Sequence, residues 1–234
     1  LRTESLRSAL SELNDQLSPI VNTLNSQKTL HHGSENAKGD VSDIVEYAKK
    51  FVPNTRSVQY WFEERRQLEL GVLRGLIYQI PNSDLRNFFL VAFSSIIRKA
   101  SKASPRVGKL FKTSKQDENM ALTFFKRASE MIRGMDEFNS LLGSSAWAET
   151  IVGDARSCPI KRGEVPLIFW HPPYLALYRY SAIYCLELDW LGFDRKNIRH
   201  GEIEDGFKSA EKTKYFSYVE DLRDVLAEAH ALLE

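Results

Sequence analysis

Residues 165–193 read VPLIFWHPPYLALYRYSAIYCLELDWLGF. Val165 to Trp170 is an apolar run, closed by His171-Pro172-Pro173. Such a run, bounded by turn residues, is the pattern of a strand buried in a mostly parallel sheet. Upstream, Ala148-Glu149-Thr150-Ile151-Val152, closed by Gly153-Asp154, has the same character. After the prolines the pattern returns to helix from Tyr174 to Trp190, and Gly192 ends it. A strand that hands a polar residue, two prolines and an aromatic to its carboxyl end places them where open α/β sheets bind ligands. Each proline fixes its φ and lacks an N–H, so the corner is stiff and its carbonyls meet few internal donors. His171, Pro172, Pro173 and Tyr174 thus offer hydrogen-bond acceptors beside a flat ring, which suits a planar amine.

Working outward, the remainder reads as helix. Leu6, Leu10, Leu13, Leu17, Val21 and Leu24 alternate at spacings of four and three, one face of a helix that Pro19 is expected to kink or divide. Residues 25–40 are polar and turn-rich and read as a loop, followed by a short helix from Val41 to Phe51. Glu69, Val72, Leu73, Leu76, Ile77 and Ile80 imply a helix over 63–79. Leu85, Phe88, Phe89, Ala92, Phe93, Ile96 and Ile97 imply a second over 84–101, capped by Asn82-Ser83. The two are expected to form an antiparallel hairpin about Pro81. A long helix over 118–142 has Phe125, Ala128, Ile132, Met135 and Leu142 on one face. An exposed loop is expected over 195–210. A last helix from Tyr215 turns Tyr218, Leu222, Val225, Leu226 and Ala229 inward. The order of elements predicts an α/β sheet domain bearing a large helical insertion, so that the chain is mostly α-helical. Residues 1–147 form the helical segment and 148–234 the partial α/β segment. Both ends fall within helical patterns, as in a piece of something larger.

Composition narrows the partners. The 234 residues carry 32 Lys or Arg against 31 Asp or Glu, a net charge of +1. No global excess calls for nucleic acid or membrane, so any electrostatic footprint is local. One exists: residues 98–115 hold seven Lys or Arg and no acid. Lys102, Arg106, Lys109, Lys112 and Lys115 are its candidate phosphate contacts, the alternative being a solvated loop. The two cysteines, Cys158 and Cys185, exclude a disulfide scaffold and a four-cysteine zinc site. They read as buried small apolar residues in a reducing, cytoplasmic setting. His31-His32, His200 and His230 lack metal-ligand spacing. Trp61 reads as a core anchor. Tyr178, Tyr180, Tyr184 and Trp190 read as core at helical spacing. No signal peptide and no bilayer-spanning run is visible.

The His171–Tyr174 corner resembles the fourth motif of amino-methylating DNA methyltransferases, Asp/Asn/Ser-Pro-Pro-Tyr. In one subgroup a helix follows with a tyrosine and closes in Trp-Leu-Gly. Tyr180 and Trp190-Leu191-Gly192-Phe193 fall at matching spacings. Val152-Gly153-Asp154-Ala155-Arg156 resembles the third motif. Tyr60-Trp61-Phe62 and residues 84–101 resemble the helical segment between the second and third motifs. The resemblance covers residues 55–233. It implies methyl transfer from S-adenosylmethionine to N6 of adenine or N4 of cytosine in DNA. It also implies that Tyr174 stacks on the base, that His171 and the Pro172 carbonyl accept its amino protons, and that Asp154 lies near the cofactor's adenine. Asp154 as a plain turn cap is the other reading.

Three departures qualify what the resemblance implies. His171 replaces the family's Asp, Asn or Ser. A neutral imidazole can accept through one nitrogen, and a protonated one cannot. No Gly-x-Gly occurs in the chain, so the family's cofactor loop is missing, and so are the strands after the last helix. The chain therefore looks like the middle of a methyltransferase. The expectations are a DNA methyltransferase, or a catalytically degenerate DNA-binding or scaffolding subunit of a restriction or anti-phage system. A split enzyme with a second chain supplying the loop, and a plain helical interaction module, complete the set.

Overall fold

Leu6, Leu13, Leu17, Val21 and Leu24 share one stripe of α1 (Thr3–Ser26), and all are buried. The structure, a computed structural model, describes residues 2–26, 37–106, 109–113, 118–142, 149–174, 180–203 and 211–233. α1 runs through Pro19 without dividing. The apolar stripe continues on both sides of the proline, and its packing outweighs the lost backbone bond. Among the described residues no helix is long and apolar enough to cross a membrane.

The chain divides into two units. The first comprises Leu1–Ser104, Leu110–Ala146 and Leu186–Phe193, and the second Pro105–Lys109, Trp147–Cys185 and Asp194–Glu234.

In the first unit, α1, α2 (Ala37–Phe51), α5 (Ser83–Ala100) and α6 (Met120–Leu142) all contact α4 (Glu64–Tyr78). α4 is buried over most of its circumference, at Leu70, Gly71, Val72, Leu73, Gly75, Leu76 and Ile77, as befits a central helix. Gly71 and Gly75 let α2 come close. A Cβ on Gly71 would lie 2.5 Å from the Ala48 carbonyl oxygen, and one on Gly75 2.6 Å from Phe51 Cδ2. α5 begins as its sequence requires, with Asn82 Oδ1 accepting from the N–H groups of Asp84 and Leu85 at 3.0 Å each. Phe88, Phe89, Ala92, Phe93, Ile96, Ile97 and Ala100 form its buried face. On α6 the buried stripe is Phe124, Ala128 and Ile132. Phe125, expected inside, is only half-buried.

The short helix α3 (Arg56–Trp61) is capped by Thr55, whose Oγ1 accepts from Val58 N–H at 3.3 Å. Phe62 is the buried anchor beside it, not Trp61, which is half-buried. The described part of the basic stretch is not a loop throughout, and its first residues end α5. Beyond α5 it contains two paired strands, β1 (Ala103–Arg106) and β2 (Lys109–Lys112), the only sheet among the described residues.

Residues 186–193 join the helical unit through Trp190, which is fully buried. Its ring meets Phe62 at 5.6 Å and Phe93 at 6.0 Å, both edge-on. Thr55 donates its hydroxyl to Asp189 Oδ2 at 2.8 Å, and Arg98 pairs with Glu187 at 2.8 Å. The expected helix over 174–190 appears as α7 (Tyr180–Ile183) and α8 (Cys185–Leu191), with 175–179 outside the described residues. Gly192, at φ +81°, ends α8, and Phe193 N–H reaches the Leu188 carbonyl at 3.0 Å. That left-handed closure is what the glycine supplies.

In the second unit the expected parallel strands do not form. Residues 149–152 and 165–170 carry no strand pairing, and Val152, Leu167 and Phe169 are 97%, 77% and 98% exposed. A continuous apolar run is a buried strand only when neighbours pair its backbone and layers cover both faces. The described residues supply neither. The exposed loop expected over 195–210 is in part a helix, α9 (Arg195–Gly201), capped by Asp194, whose Oδ1 accepts from Lys196 N–H at 2.9 Å. The long α10 (Glu211–Leu233) buries Val225 and Leu232 but exposes Leu226, which the sequence placed inside.

Candidate functional site

α10 is the spine on which the candidate site is laid. Tyr218, Asp221, Val225, Glu228 and Leu232 recur at spacings of three and four, one face of the helix. Each engages the second unit's irregular chain or is buried. Tyr218 Oη donates to the Pro173 carbonyl at 2.7 Å. Arg156 donates to Asp221 at 2.6 Å, Cys158 N–H to Glu228 at 2.9 Å, and Gly163 N–H to the Leu232 carbonyl at 3.1 Å. Sequence reading counted Tyr218 among the inward residues but missed Asp221 and Glu228. Their signal was available, since two acids stand on the same helical face as Val225.

The corner itself faces solvent. His171 is exposed, Pro172 and Pro173 are half-buried, and Tyr174 is 54% exposed. The His171 and Tyr174 rings meet edge to face, with centroids 5.4 Å apart and planes at 88°. Tyr174 Oη lies 3.2 Å from His171 Nε2. That contact decides what His171 can do. If Nε2 carries the proton and donates to the phenol oxygen, Nδ1 keeps its lone pair and can accept from an amine. If the phenol donates to Nε2, Nδ1 carries the proton and can only donate. The Pro173 carbonyl is engaged by Tyr218, whereas no described residue donates to the Pro172 carbonyl. Among the described residues, the Pro172 carbonyl thus has no donor, and His171 keeps one ring nitrogen outside its contact with Tyr174.

Asp154 sits in a turn. Its Oδ1 accepts from Arg156 N–H at 2.9 Å, and the Arg156 guanidinium bonds both of its oxygens. The guanidinium hydrogen bond first, then the backbone N–H, hold the Asp154 carboxyl below its ordinary value of 3.8, against the opposing effect of burial. Asp154 and Asp221 together raise the Arg156 pKa. Asp154 therefore caps its turn and anchors it to α10 through Arg156.

Tyr180 and Tyr184, expected in the core, are 44% and 46% exposed and stack with planes 2° apart. Tyr178 lies outside the described residues, as do Lys115 and His31-His32. Cys158 and Cys185, expected to be buried, are half-buried and form no disulfide among the described residues. Lys102 pairs with Glu63 at 3.3 Å, and Lys112 Nζ stands 5.4 Å from the Tyr60 ring centroid. Arg106 and Lys109 stand at the facing ends of the two strands. Among the described residues no group of three or more His, Cys, Asp or Glu is placed to hold a metal.

Comparison with family models, with curated proteins and with solved structures returned no match.

The described residues do not fit S-adenosylmethionine. Both Asp154 oxygens are committed to Arg156, and no glycine-rich turn is present to admit a nucleotide-sized group to the backbone. What the arrangement offers is narrower: an exposed ring, an imidazole anchored on it, and a proline carbonyl to which no described residue donates.

Proposed function

We propose that this chain is the base-presenting part of a DNA amino-methyltransferase. The methyl donor, S-adenosylmethionine by resemblance, is held by another segment or a second chain. The reading rests on the residues shared with the family's fourth motif and on one structural observation. The His171–Tyr174 corner is open to solvent, with the His171 ring fixed on Tyr174 at 3.2 Å. A target adenine or cytosine must leave the duplex stack, because its amino group is otherwise paired. Tyr174 offers a face for stacking. His171 Nδ1, in the Nε2–H tautomer, and the Pro172 carbonyl accept the two amino protons. Drawing those protons toward acceptors pulls the nitrogen lone pair out of conjugation with the ring and makes it a nucleophile. The contribution of these residues is positioning and preorganised electrostatics. The basic strands supply phosphate contacts, and the setting is cytoplasmic, within a restriction-modification or anti-phage system.

A second reading is favoured by a specific observation. Asp154, the residue the family places near its cofactor, is neutralised by Arg156. A catalytically degenerate subunit that binds or scaffolds DNA is consistent with that pairing.

Expressing the gene in a host free of DNA amino-methylation, and sequencing the genome for modified bases, separates the two. The enzyme reading expects N6-methyladenine or N4-methylcytosine at a defined site, falling by orders of magnitude with His171→Ala. DNA binding without modified bases would support the degenerate subunit. Modification unchanged by His171→Ala would remove that side chain from the chemistry.

A further inference from the structure

We propose that Tyr60, backed by Trp61 and flanked by Lys112 and Lys102, is a stacking platform for an unpaired base of single-stranded DNA. The proposal extends the nucleic-acid part of the reading above and does not need methyl transfer.

Four observations converge on this surface, all within the first unit. Tyr60 is 59% exposed in the last turn of α3, two residues before the buried Phe62. Trp61 meets its ring edge to face, with centroids 4.9 Å apart, and fixes its orientation. Lys112 Nζ stands over the ring at 5.4 Å, so a cation is held beside the aromatic face. The basic strands are registered on the same helix end. Lys102 N–H donates to the Trp61 carbonyl at 2.7 Å, and Thr113 N–H to the Lys102 carbonyl at 2.8 Å. Aromatic ring and cations therefore form one piece rather than independent surface groups.

Exposed aromatics are common singly and need no explanation. This one adjoins a stretch with seven cations and no acid. Glu63 is the opposing charge at the site, and it is matched by Lys102 at 3.3 Å. Among the described residues, Lys112 remains to meet a phosphate. A ring for base faces beside a basic track is how proteins hold single strands without reading sequence. A duplex keeps its bases stacked on one another, so it would use the cations and leave Tyr60 idle. An acidic peptide would likewise use the charge and not the ring.

The test titrates the chain with fluorescein-labelled oligothymidylate and, separately, with a labelled duplex, reading anisotropy at low salt. Native chain is expected to bind both. Tyr60→Ala is expected to weaken oligothymidylate binding about tenfold or more while leaving duplex affinity unchanged, since stacking is lost for one base. Tyr60→Phe should retain native affinity. Lys112→Glu should weaken both ligands and flatten the salt dependence. The proposal is overturned if Tyr60→Ala binds oligothymidylate like native chain, if it weakens both ligands equally, or if native chain does not bind oligothymidylate. None of these results would touch the methylation readout of His171→Ala, so the two readings fail separately.

Discussion

Trp190→Ala is expected to cost the helical unit about 3–5 kcal/mol, the range for emptying a large aromatic site in a packed core. Trp190 is fully buried and lies against Phe62 and Phe93, which come from different parts of the chain. Removing the indole leaves a hole lined by two rings, and α3 and α5 are tied by their own caps and cannot both move in to fill it. The effect spreads, because the segment that Trp190 anchors also carries the Asp189 bond to Thr55 and the Glu187 pair with Arg98. Trp190→Phe is the control. It keeps an aromatic in the site and removes an indole Nε1 that is buried without a hydrogen-bond partner among the described residues, so it should cost much less. Urea denaturation followed by far-ultraviolet circular dichroism measures both. Equal midpoints for Trp190→Ala and native chain would show that residues 186–193 are not part of that core.

Glu69→Ala is expected to cost a similar amount, about 3–5 kcal/mol, for an electrostatic reason. Glu69 is 3% exposed on the central helix α4, and Arg66, one turn before it, is 8% exposed. Arg66 Nη1 donates to Glu69 Oε2 at 2.5 Å, and Arg65 Nε to Glu69 Oε1 at 2.9 Å. One carboxylate thus meets two guanidinium groups, one of them buried. Truncating Glu69 removes the carboxylate that both guanidinium groups meet, one of them at a buried site, and that lost charge pairing is the larger part of the loss. Replacing the pair together, Arg66→Met with Glu69→Leu, should restore most of the stability, because well-packed apolar groups replace a buried ion pair at little cost. A double variant no more stable than Glu69→Ala would mean that the loss is one of packing.

The helical part of the fold was legible in the sequence because its signal is local. The stripe of α5 and its Asn82 cap need only 3.6-residue periodicity and one side-chain oxygen, both visible in the residues. Glu69 fell on the inward face by spacing alone, although its charge argued otherwise; the adjacent Arg65 and Arg66 are what allow it there. Gly192 was readable as a helix end because few residues but glycine adopt its φ of +81°. The strands at 149–152 and 165–170 were misread because pairing is not local. An apolar run does not state where its partner is, and here no described residue provides one. The basic strands were missed for the converse reason. Pro105 and Gly108 read as interruptions, yet Pro105 lies within β1, and β2 begins at Lys109. At the corner, sequence identified His171, Pro172, Pro173 and Tyr174 but not what holds them. The Tyr218 bond to Pro173 comes from 45 residues away, and no pattern within 165–193 announces it.

Base presentation at this corner turns on which nitrogen of His171 keeps its lone pair. Long-range proton–nitrogen correlation NMR on the labelled chain reads that directly. The Nε2–H tautomer is predicted, with Nδ1 unprotonated, and Nδ1 should shift when an adenine-containing oligonucleotide is added. A ring protonated at Nδ1, with Nε2 accepting from Tyr174, would contradict it, for His171 would then offer a donor where an amine needs an acceptor.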